Sequence, residues 1–258
     1  MKILKRLFGK SADQAPPVMF TAPIVPNRPL YVIGDIHGRA DLLAKMLDRL
    51  ADIREPESDL VFVGDIVDRG DDSALTLSTI KDITENPDAA AHCLMGNHEK
   101  MLLDFLDEPT VKGARWLQYG GLETLMSFGL REVTERANDE VLMAARDVFA
   151  ESLPQETQAW LRELPLRFAS GNVSVVHAAA DPDVPVDQQS ARVLLWGHDK
   201  FTERQRTDDQ WIVHGHTITE EPYAFSGKIN VDTGAFATGR LTCVRIGSNE
   251  VEFFTVQN

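Results

Sequence analysis

Five short apolar runs in this chain each end in aspartate, asparagine or histidine. The runs are VIG before Asp35 and His37, VFVG before Asp65, HCLMG before Asn97 and His98, VSVV before His177, and WIV before His214 and His216. Burying an ionised carboxylate is costly unless it is paired with a positive charge or coordinates a metal ion. Ligands of open α/β sheets gather at the carboxyl ends of the strands. The five ends therefore predict one shared site in an α/β fold.

Strand and helix patterns alternate in the first part of the chain. Apolar runs at 30–34, 60–64 and 91–96 predict strands, and amphipathic patterns at 40–53 and 73–83 predict helices between them. This is a βαβα order, which is typical of α/β proteins.

Helical patterns in the middle of the chain predict a cap, and strand-like patterns follow them. Residues 104–165 have mostly amphipathic helical periodicity, so we expect them to form a cap insertion over the sheet. The later strand-like runs are closer together and alternate more, which favours a mixed or antiparallel sheet. They are 172–178, 210–215, 228–234, 240–247 and 251–256.

Residues 1–29 predict a flexible N-terminal arm that leads into a single domain at 30–258. Segment 11–29 is rich in proline and has neither helical nor strand periodicity. The first ten residues, MKILKRLFGK, lack the hydrophobic stretch and cleavage site of a secretory signal, and no apolar run is long enough to span a bilayer. We therefore expect a cytoplasmic protein with no stable membrane insertion.

Charge and cysteine content narrow the range of partners. The chain has 26 basic and 40 acidic residues, and its formal net charge of −14 has the wrong sign for contacts with a phosphate backbone. Nucleic acid is therefore not expected as a main partner. Cys93 and Cys243 lie far apart within apolar runs, so we expect buried free thiols rather than a disulfide or a cysteine metal site.

The residues at the predicted strand ends are suitable metal ligands. Asp35 and His37 are two residues apart in an extended segment, so their side chains leave on the same face and can share a cation. Aspartate, asparagine and histidine suit manganese, iron or zinc, and no thiolate is present at these ends. Gly34, Gly64 and Gly96 precede the polar residues and let the backbone approach an ion or a phosphate closely.

The order and spacing of these motifs resemble one family. GDIHG at 34–38, GDIVDRG at 64–70, GNHE at 96–99, His177 and GHT at 215–217 resemble the calcineurin-type metallophosphoesterases, and within them the bacterial serine/threonine phosphoprotein phosphatases. The resemblance implies an α/β sandwich with two central mixed β-sheets flanked by helices. It also implies two divalent metal ions, with Mn²⁺ expected and iron or zinc as alternatives.

The resemblance implies two sets of metal ligands that share one carboxylate. The first set is Asp35, His37 and Asp65, and the second set is Asp65, Asn97, His177 and His216. His214 and His216 compete for the last position. The GHT frame favours His216, and His214 is then expected to face the opposite side or to donate a hydrogen bond behind the ligands.

The resemblance also implies a reaction without a covalent enzyme intermediate, in which a hydroxide that bridges the two metal ions attacks phosphorus directly. His98 resembles the general acid and Asp68 the carboxylate that orients it, which suits proton donation to a departing alkoxide. Arg69 resembles the arginine that grips the phosphate, because its rigid fork matches two phosphate oxygens. Asn97 is expected to contact the phosphate as well.

Two positions depart from the family pattern. The segment LLWGHDKF at 194–201 has His198 where a second phosphate-binding arginine is expected, as Trp-x-Arg. We assign His198 to phosphate binding, with an altered affinity or pH dependence because histidine is only partly charged at neutral pH. Ala179 stands where a glycine is expected, which changes the loop after His177. Glu99 completes GNHE and is expected to serve in the first turn of a helix rather than as a ligand.

These features predict a metal-dependent phosphoric monoester hydrolase that removes phosphate from serine or threonine side chains of proteins. The alternative is a hydrolase of dinucleoside polyphosphates or other small phosphate esters, because the same metal centre serves both substrates. A third hypothesis is a metal-binding scaffold without catalysis, in which His198 marks lost chemistry. None of these patterns predicts an oligomeric state.

Overall fold

The computed structural model describes residues 20–258, and its strands form two sheets. Five strands form the first sheet: β1 (Leu30–Ile33), β2 (Asp59–Phe62), β3 (Ala91–Cys93), β9 (Arg240–Gly247) and β10 (Glu250–Gln257). Their order across the sheet is β10, β9, β1, β2, β3. Strands β1, β2 and β3 are parallel, whereas β9 pairs antiparallel with both β1 and β10.

The second sheet contains the other five strands. They are β4 (Arg167–Ser170), β5 (Val173–Val176), β6 (Trp211–His214), β7 (Tyr223–Phe225) and β8 (Lys228–Asn230). The order is β4, β5, β6, β8, β7, with parallel pairs in the centre and an antiparallel strand at each edge. Both sheets are therefore mixed, which confirms the predicted fold class.

The last two strands belong to the first sheet. The prediction that runs 240–247 and 251–256 continue the later sheet is wrong, because β9 lies beside β1, with Val244 opposite Val32. Cys243 and Val244 point to opposite faces of β9, and both are buried. A strand covered on both faces fits next to the central strand β1.

An apolar core lies between the two sheets. Successive side chains of a strand point to opposite faces. In β1, Val32 packs in one cluster with Val213 and Ile229 of the second sheet, whereas Tyr31 and Ile33 pack in the cluster formed with the helices. The first sheet is therefore covered by the second sheet on one face and by helices on the other.

Helices α1 (Ala40–Ile53) and α2 (Ser73–Glu85) contribute to the helical face. Helix α1 buries Leu42, Leu43, Met46 and Leu50, whose spacing of three to four residues places them on one side. The helix ends at Ile53, because Arg54 is extended and Pro56 follows two residues later. The bounds of α1 are those that the sequence predicts.

A group of helices follows β3. It comprises α3 (Asn97–Asp107), α4 (Pro109–Trp116), a π-helical segment (Leu117–Gly121), α5 (Leu122–Ser127), α6 (Asp139–Ser152) and α7 (Gln155–Glu163). These helices share a buried aromatic centre, in which the Trp116 ring lies 4.7 Å from Phe105 and 5.9 Å from Phe149. We call residues 104–165 the cap. Their status as an insertion stays a prediction, as does the domain boundary at residue 30.

Short helices connect the later strands. They are a 3₁₀ turn (Val186–Gln188), α8 (Ala191–Trp196), α9 (Asp199–Glu203) and α10 (Ala235–Thr238). No helix in residues 20–258 is both long and apolar enough to cross a membrane. Cys93 and Cys243 are buried free thiols, as predicted.

Residues 20–29 have no regular secondary structure and lie along the second sheet. Phe20 packs edge-on against Trp211 at 5.2 Å between ring centroids, and Ile24 is buried. The backbone N–H of Val25 donates to Asn172 Oδ1 at 2.8 Å. The remainder of the predicted arm, residues 1–19, lies outside the described residues.

Candidate active site

The carboxyl ends of the central strands bring the predicted site residues to one edge of the two sheets. They are Asp35 and His37 after β1, Asp65 after β2, Asn97 and His98 after β3, His177 after β5, and His216 after β6. All are buried except His216, which is half-buried. The core between the sheets aligns these ends, so polar residues far apart in sequence become neighbours.

Several loop residues of the site have left-handed backbone conformations. The φ angles are 48° at His37, 50° at Asp65, 73° at Asp68, 69° at Arg69 and 62° at His216. Positive φ costs a residue with a Cβ free energy, and such strain persists only where the surroundings fix the backbone. The loops at this edge are therefore held in shape by specific contacts.

Asp65 lies at the centre of two groups of ligand atoms. In each group the atoms lie within 4.8 Å of one another: His37, Asp65 and His98 in one, and Asp65, His177 and His216 in the other. Asp65 Oδ2 is 3.5 Å from His37 Nε2 and 3.4 Å from His177 Nε2. The family resemblance implies a shared carboxylate at this same residue.

Two of the histidines are oriented by backbone carbonyls. His37 Nδ1 lies 2.8 Å from the carbonyl oxygen of Val67, and His177 Nδ1 lies 3.1 Å from that of Val63. A carbonyl oxygen accepts only, so Nδ1 carries the proton that it donates. This leaves Nε2 of each ring directed at Asp65, in the orientation that metal-binding histidines adopt.

The other two predicted ligands join the cluster through hydrogen bonds. The Asp35 carboxylate accepts from the backbone N–H of His216, with Oδ2 at 3.0 Å. Asn97 Oδ1 lies 2.8 Å from His177 Nε2. The structure thus connects all six predicted ligands, and their coordination of metal ions stays a prediction.

The charges at this cluster fit a cation. Burial raises the pKa of Asp35 well above its ordinary value, and the nearby carboxylate of Asp232 raises it further. Burial lowers the pKa of His177, but the charge of Asp65 outweighs burial and raises the pKa to about 9. A protonated imidazole therefore compensates Asp65 here. Divalent ions held by these oxygen and nitrogen atoms would supply the same positive charge, so the donor set fits them.

His98 and Asp68 form a buried hydrogen-bonded pair. His98 Nδ1 lies 2.7 Å from Asp68 Oδ2, with side-chain exposures of 1% and 0%. Burial lowers the pKa of His98, but the charge of Asp65 and the hydrogen bond to Asp68 outweigh burial and raise it. The other ring nitrogen, His98 Nε2, lies 3.9 Å from Asp65 Oδ2.

Arg69 lies against this cluster. Its Nη1 donates to His37 Nε2 at 3.0 Å, and its guanidinium carbon lies 4.7 Å from the centroid of the Phe236 ring. The Phe236 ring also packs edge-on against His37 at 5.2 Å. Phe236 is the first residue of the site that no motif in the sequence indicated.

Two cavities meet at Arg69 and Phe236. One has a volume of about 360 Å³ and is also lined by Tyr119, Glu123 and Glu135 of the cap. The other, of about 370 Å³, is lined by the remaining residues Gly38, Arg39, Asp41, Gly70, Asp71 and Asp72. A substrate group bound by Arg69 would therefore have space on both sides.

His198 lies beside Asp181. Its Nε2 is 3.5 Å from Asp181 Oδ2, and its Nδ1 is buried without a hydrogen-bond partner in the described part of the chain. The phosphate contact of His198 stays a prediction. His214 packs against Phe201 at 4.9 Å and hydrogen-bonds the carbonyl of Gly215.

Glu99 contributes more than a helix start. It is the third residue of α3, and its carboxylate accepts from the backbone N–H groups of Gly96, Asp65 and Ile66 at 2.8–2.9 Å. Burial raises the pKa of Glu99 to about 7, and the charge of Asp65 adds to the shift. The expected role in the first turn is correct, but the contact with the Asp65 loop was missed.

Asp232 is an acidic residue near the site that the sequence analysis did not single out. It is 3% exposed, follows β8, and accepts from the backbone N–H of Gly234 at 2.8 Å. Burial raises its pKa to about 6. A sequence signal for Asp232 was present. In KINVDTG the strand residues KINV are followed directly by an aspartate, as other strand runs are followed by aspartate, asparagine or histidine.

Comparison with known proteins agrees with this geometry. Residues 28–220 match the family model of calcineurin-like phosphoesterases. Serine/threonine-protein phosphatase 1 of Salmonella typhimurium is 29% identical over 231 residues, which cover 85% of this chain and 92% of that protein. The asymmetrical bis(5'-nucleosyl)-tetraphosphatase PrpE of Oceanobacillus iheyensis is 26% identical over 240 residues, with coverages of 85% and 89%.

Solved structures share the fold. A crystal structure provisionally assigned as a diadenosine tetraphosphatase aligns with a TM-score of 0.63 at 20% identity, covering 92% of this chain and 100% of that one. The cold-active protein-tyrosine phosphatase of a psychrophilic Shewanella species aligns with a TM-score of 0.56 at 17% identity, with coverages of 96% and 88%. At these identities the likeness concerns the architecture of the two sheets and their helices.

Proposed function

This chain belongs to the calcineurin-like phosphoesterase family, and on that premise we propose that it hydrolyses phosphate monoesters, with phosphoserine or phosphothreonine side chains of proteins as substrates. The observation that carries the proposal is the position of Asp65, whose carboxylate lies between His37 and His177 at 3.4–3.5 Å. A buried carboxylate shared by two groups of ligands suits a pair of divalent ions.

The ligands would be divided between two ions. Asp35, His37 and Asp65 would hold the first, and Asp65, Asn97, His177 and His216 the second. Divalent ions bound in this way lower the pKa of water and neutralise the charge of phosphoryl oxygens. Manganese is the favoured metal for this set of oxygen and imidazole donors, and iron or zinc would also suit it.

The remaining residues bind the phosphate and supply a proton. Arg69 presents two parallel N–H groups to phosphate oxygens, which is the geometry that a guanidinium matches best. Asp68 keeps the proton of His98 Nδ1 in place, so that Nε2–H is the group directed at the departing oxygen. His198, which lies 3.5 Å from Asp181, is proposed as a second contact to the phosphate.

The charges of the two cavities favour a monoester over a polyphosphate. The cavity on the cap side sets Glu123 and Glu135 against Arg69. The other cavity is lined by three aspartates, Asp41, Asp71 and Asp72, together with Arg39 and Arg69. A dinucleoside polyphosphate would bring several further negative charges against these carboxylates, whereas a phosphopeptide brings one phosphate to Arg69. One relative is named a serine/threonine-protein phosphatase and another a bis(5'-nucleosyl)-tetraphosphatase, so both substrates are compared directly.

The test is a parallel assay of the protein loaded with Mn²⁺. A phosphothreonine peptide, diadenosine tetraphosphate and 4-nitrophenyl phosphate are offered at equal concentration, and kcat/KM is determined for each. We expect the phosphopeptide to be preferred over the dinucleotide. Turnover of the dinucleotide alone would favour the alternative substrate class, and no turnover of any ester would favour the metal-binding scaffold.

A further inference from the structure

One stretch of the cap contacts Asp68 directly. The indole Nε1 of Trp116 donates to Asp68 Oδ2 at 2.9 Å and Oδ1 at 3.1 Å, and the hydroxyl of Thr124 donates to Oδ1 at 2.6 Å. Trp116, Thr124 and Asp68 are each 0% exposed. With His98 Nδ1 on Oδ2, three side chains hold this carboxylate, and two of them come from the cap.

The π-helical segment between these two residues contacts the neighbouring arginine. Gly120 has a φ of 113°, and its carbonyl oxygen accepts from the backbone N–H of Arg69 at 3.1 Å. A Cβ at Gly120 would lie 2.6 Å from Arg69 Cγ, so only glycine allows this approach. Gly120, whose φ of 113° and ψ of 8° are not helical, kinks the chain between α4, which ends at Trp116, and α5, which contains Thr124. The cap therefore touches Asp68 and Arg69 together.

The same contacts fix the backbone of Asp68. Its φ of 73° and that of Arg69, 69°, place two successive non-glycine residues in the left-handed region. The N–H of Asp68 donates to Thr124 Oγ1 at 2.9 Å and to Ser73 Oγ at 3.0 Å. Thr124 thus holds both the backbone and the side chain of Asp68, and a strained turn persists where its surroundings determine it in this way.

We propose that Trp116 and Thr124 are positioning residues, which act through Asp68 to keep His98 oriented as the proton donor of the reaction. This inference rests on the proposed function. When the P–O bond to the leaving group breaks, the departing oxygen keeps the electron pair and takes the proton from His98 Nε2. Water supplies the new oxygen on phosphorus together with one hydrogen, and its other proton passes to solvent. His98 becomes neutral when it gives up this proton.

Trp116 and Thr124 control the orientation of the Asp68 carboxylate and, through it, that of the His98 ring. A carboxylate held by one hydrogen bond can rotate about its Cβ–Cγ bond, and the imidazole that it holds turns with it. Proton donors lose efficiency when displaced by about 1 Å from the reacting atom. An indole N–H only donates, so Asp68 can serve only as the acceptor in its hydrogen bonds with Trp116.

A comparison of substrates with different leaving groups distinguishes a positioning role from a general effect on the fold. An alkoxide from phosphothreonine needs a proton as it departs, whereas the weakly basic 4-nitrophenolate does not. Variants that disturb only the proton donor therefore slow the phosphopeptide much more than 4-nitrophenyl phosphate. The variants are Thr124→Val, which keeps the shape and removes the hydroxyl, Thr124→Ser, which keeps the hydroxyl, and Trp116→Phe, which removes the indole N–H.

With Mn²⁺ present, we expect Thr124→Val and Trp116→Phe to lower kcat for the phosphothreonine peptide by roughly 10- to 100-fold, less than the roughly 10²–10⁴-fold that a general acid contributes in full. The loss on 4-nitrophenyl phosphate should be about tenfold smaller, with bound manganese unchanged. Thr124→Ser should recover most of the loss. Thr157→Val, a buried threonine of α7 in the cap, is the matched control and should change neither rate.

Equal losses on both substrates, or no loss on either, would overturn the inference. His98→Asn is measured alongside as the reference for a missing acid. If His98→Asn shows no difference between substrates, the acid assignment in the proposed function has failed instead, and if the wild type cleaves neither ester, the proposed function itself has failed. Should Thr124→Val not fold, the two rates of Trp116→Phe decide the question.

Discussion

Arg69 Nη1 donates to His37 Nε2 at 3.0 Å. The other ring nitrogen of His37 is engaged by the carbonyl of Val67, so Nε2 carries the lone pair that could bind a metal ion. A metal ion on Nε2 and Arg69 in this position exclude each other. Arg69 must therefore leave His37 when an ion binds there, which frees its guanidinium for a phosphate.

Replacement of Arg69 should weaken phosphate binding while sparing the metal ions. Hydrogen bonds to charged groups contribute about 1.5–3 kcal/mol, so Arg69→Ala should raise the inhibition constant for inorganic phosphate roughly 10- to 150-fold. Arg69→Lys should recover little of this, because an ammonium cannot present a fork. Isothermal titration with Mn²⁺ should show affinity equal to or tighter than the wild type, and weaker metal binding would contradict the exclusion argued above.

Asp65→Asn should remove both metal ions, because the Asp65 carboxylate belongs to both groups of ligand atoms. Metal analysis of the purified variant should find manganese lost, and its melting temperature should no longer rise on addition of Mn²⁺. A ligand at 100 times its dissociation constant stabilises a native protein by about 2.7 kcal/mol. Asp68→Asn, in the same loop, should retain that rise. If Asp65→Asn retained one full equivalent of manganese, the Asp65 carboxylate would not be shared by the two metal ions.

Much of the fold could be predicted because its strands are marked by short apolar runs between helical patterns. The prediction failed for β9 and β10, because the choice of partner strand depends on packing between distant segments. The edge strands β4 and β7 were missed for a local reason. β4 has no fully apolar run, and β7 is only three residues long and exposed, so neither carries a signal of burial.

The candidate site was predictable where a residue type alone implies chemistry. Aspartate and histidine at strand ends indicate metal binding from sequence. Trp116 and Thr124 could not be found in this way, because they meet Asp68 across 48 and 56 residues of chain and are ordinary core residues in any local pattern. Their role depends on the π-helical segment and on the left-handed turn at Asp68, which become visible only in three dimensions.

Glu99→Gln should destabilise the protein and disturb the Asp65 loop. The amide group of glutamine would place a donor against backbone N–H groups that now donate to a carboxylate. Leaving such a buried group unsatisfied costs about 1–3 kcal/mol, which should appear as a lower free energy of unfolding in urea. Glu151→Gln, on the exposed side of α6, is the control and should stay within about 0.5 kcal/mol of wild type. Equal stability of the two variants would refute the loop contact.

Tyr31 should make stability depend on pH in alkaline solution. Burial, aided by the hydrogen bond to Glu55, raises the pKa of Tyr31 from 10.0 to about 12. Because the folded pKa lies above the unfolded one, this stabilisation is complete below pH 10 and is lost as the pH rises toward 12. The difference in unfolding free energy between wild type and Tyr31→Phe should therefore be constant up to about pH 10 and shrink above it. A constant difference over the whole range would exclude a raised pKa.

His98→Asn should keep the metal ions and lose turnover of the phosphopeptide. His98 could act as a ligand, since its Nε2 lies in one group with His37 and Asp65. Two distances argue for the acid instead: Nε2 is 3.9 Å from Asp65 Oδ2, farther than the Nε2 atoms of His37 and His177, and Nδ1 is held by Asp68 at 2.7 Å. Metal analysis should find wild-type manganese in His98→Asn and depleted manganese in His177→Asn. Depletion in both would make His98 a ligand and leave the proton donor to another group.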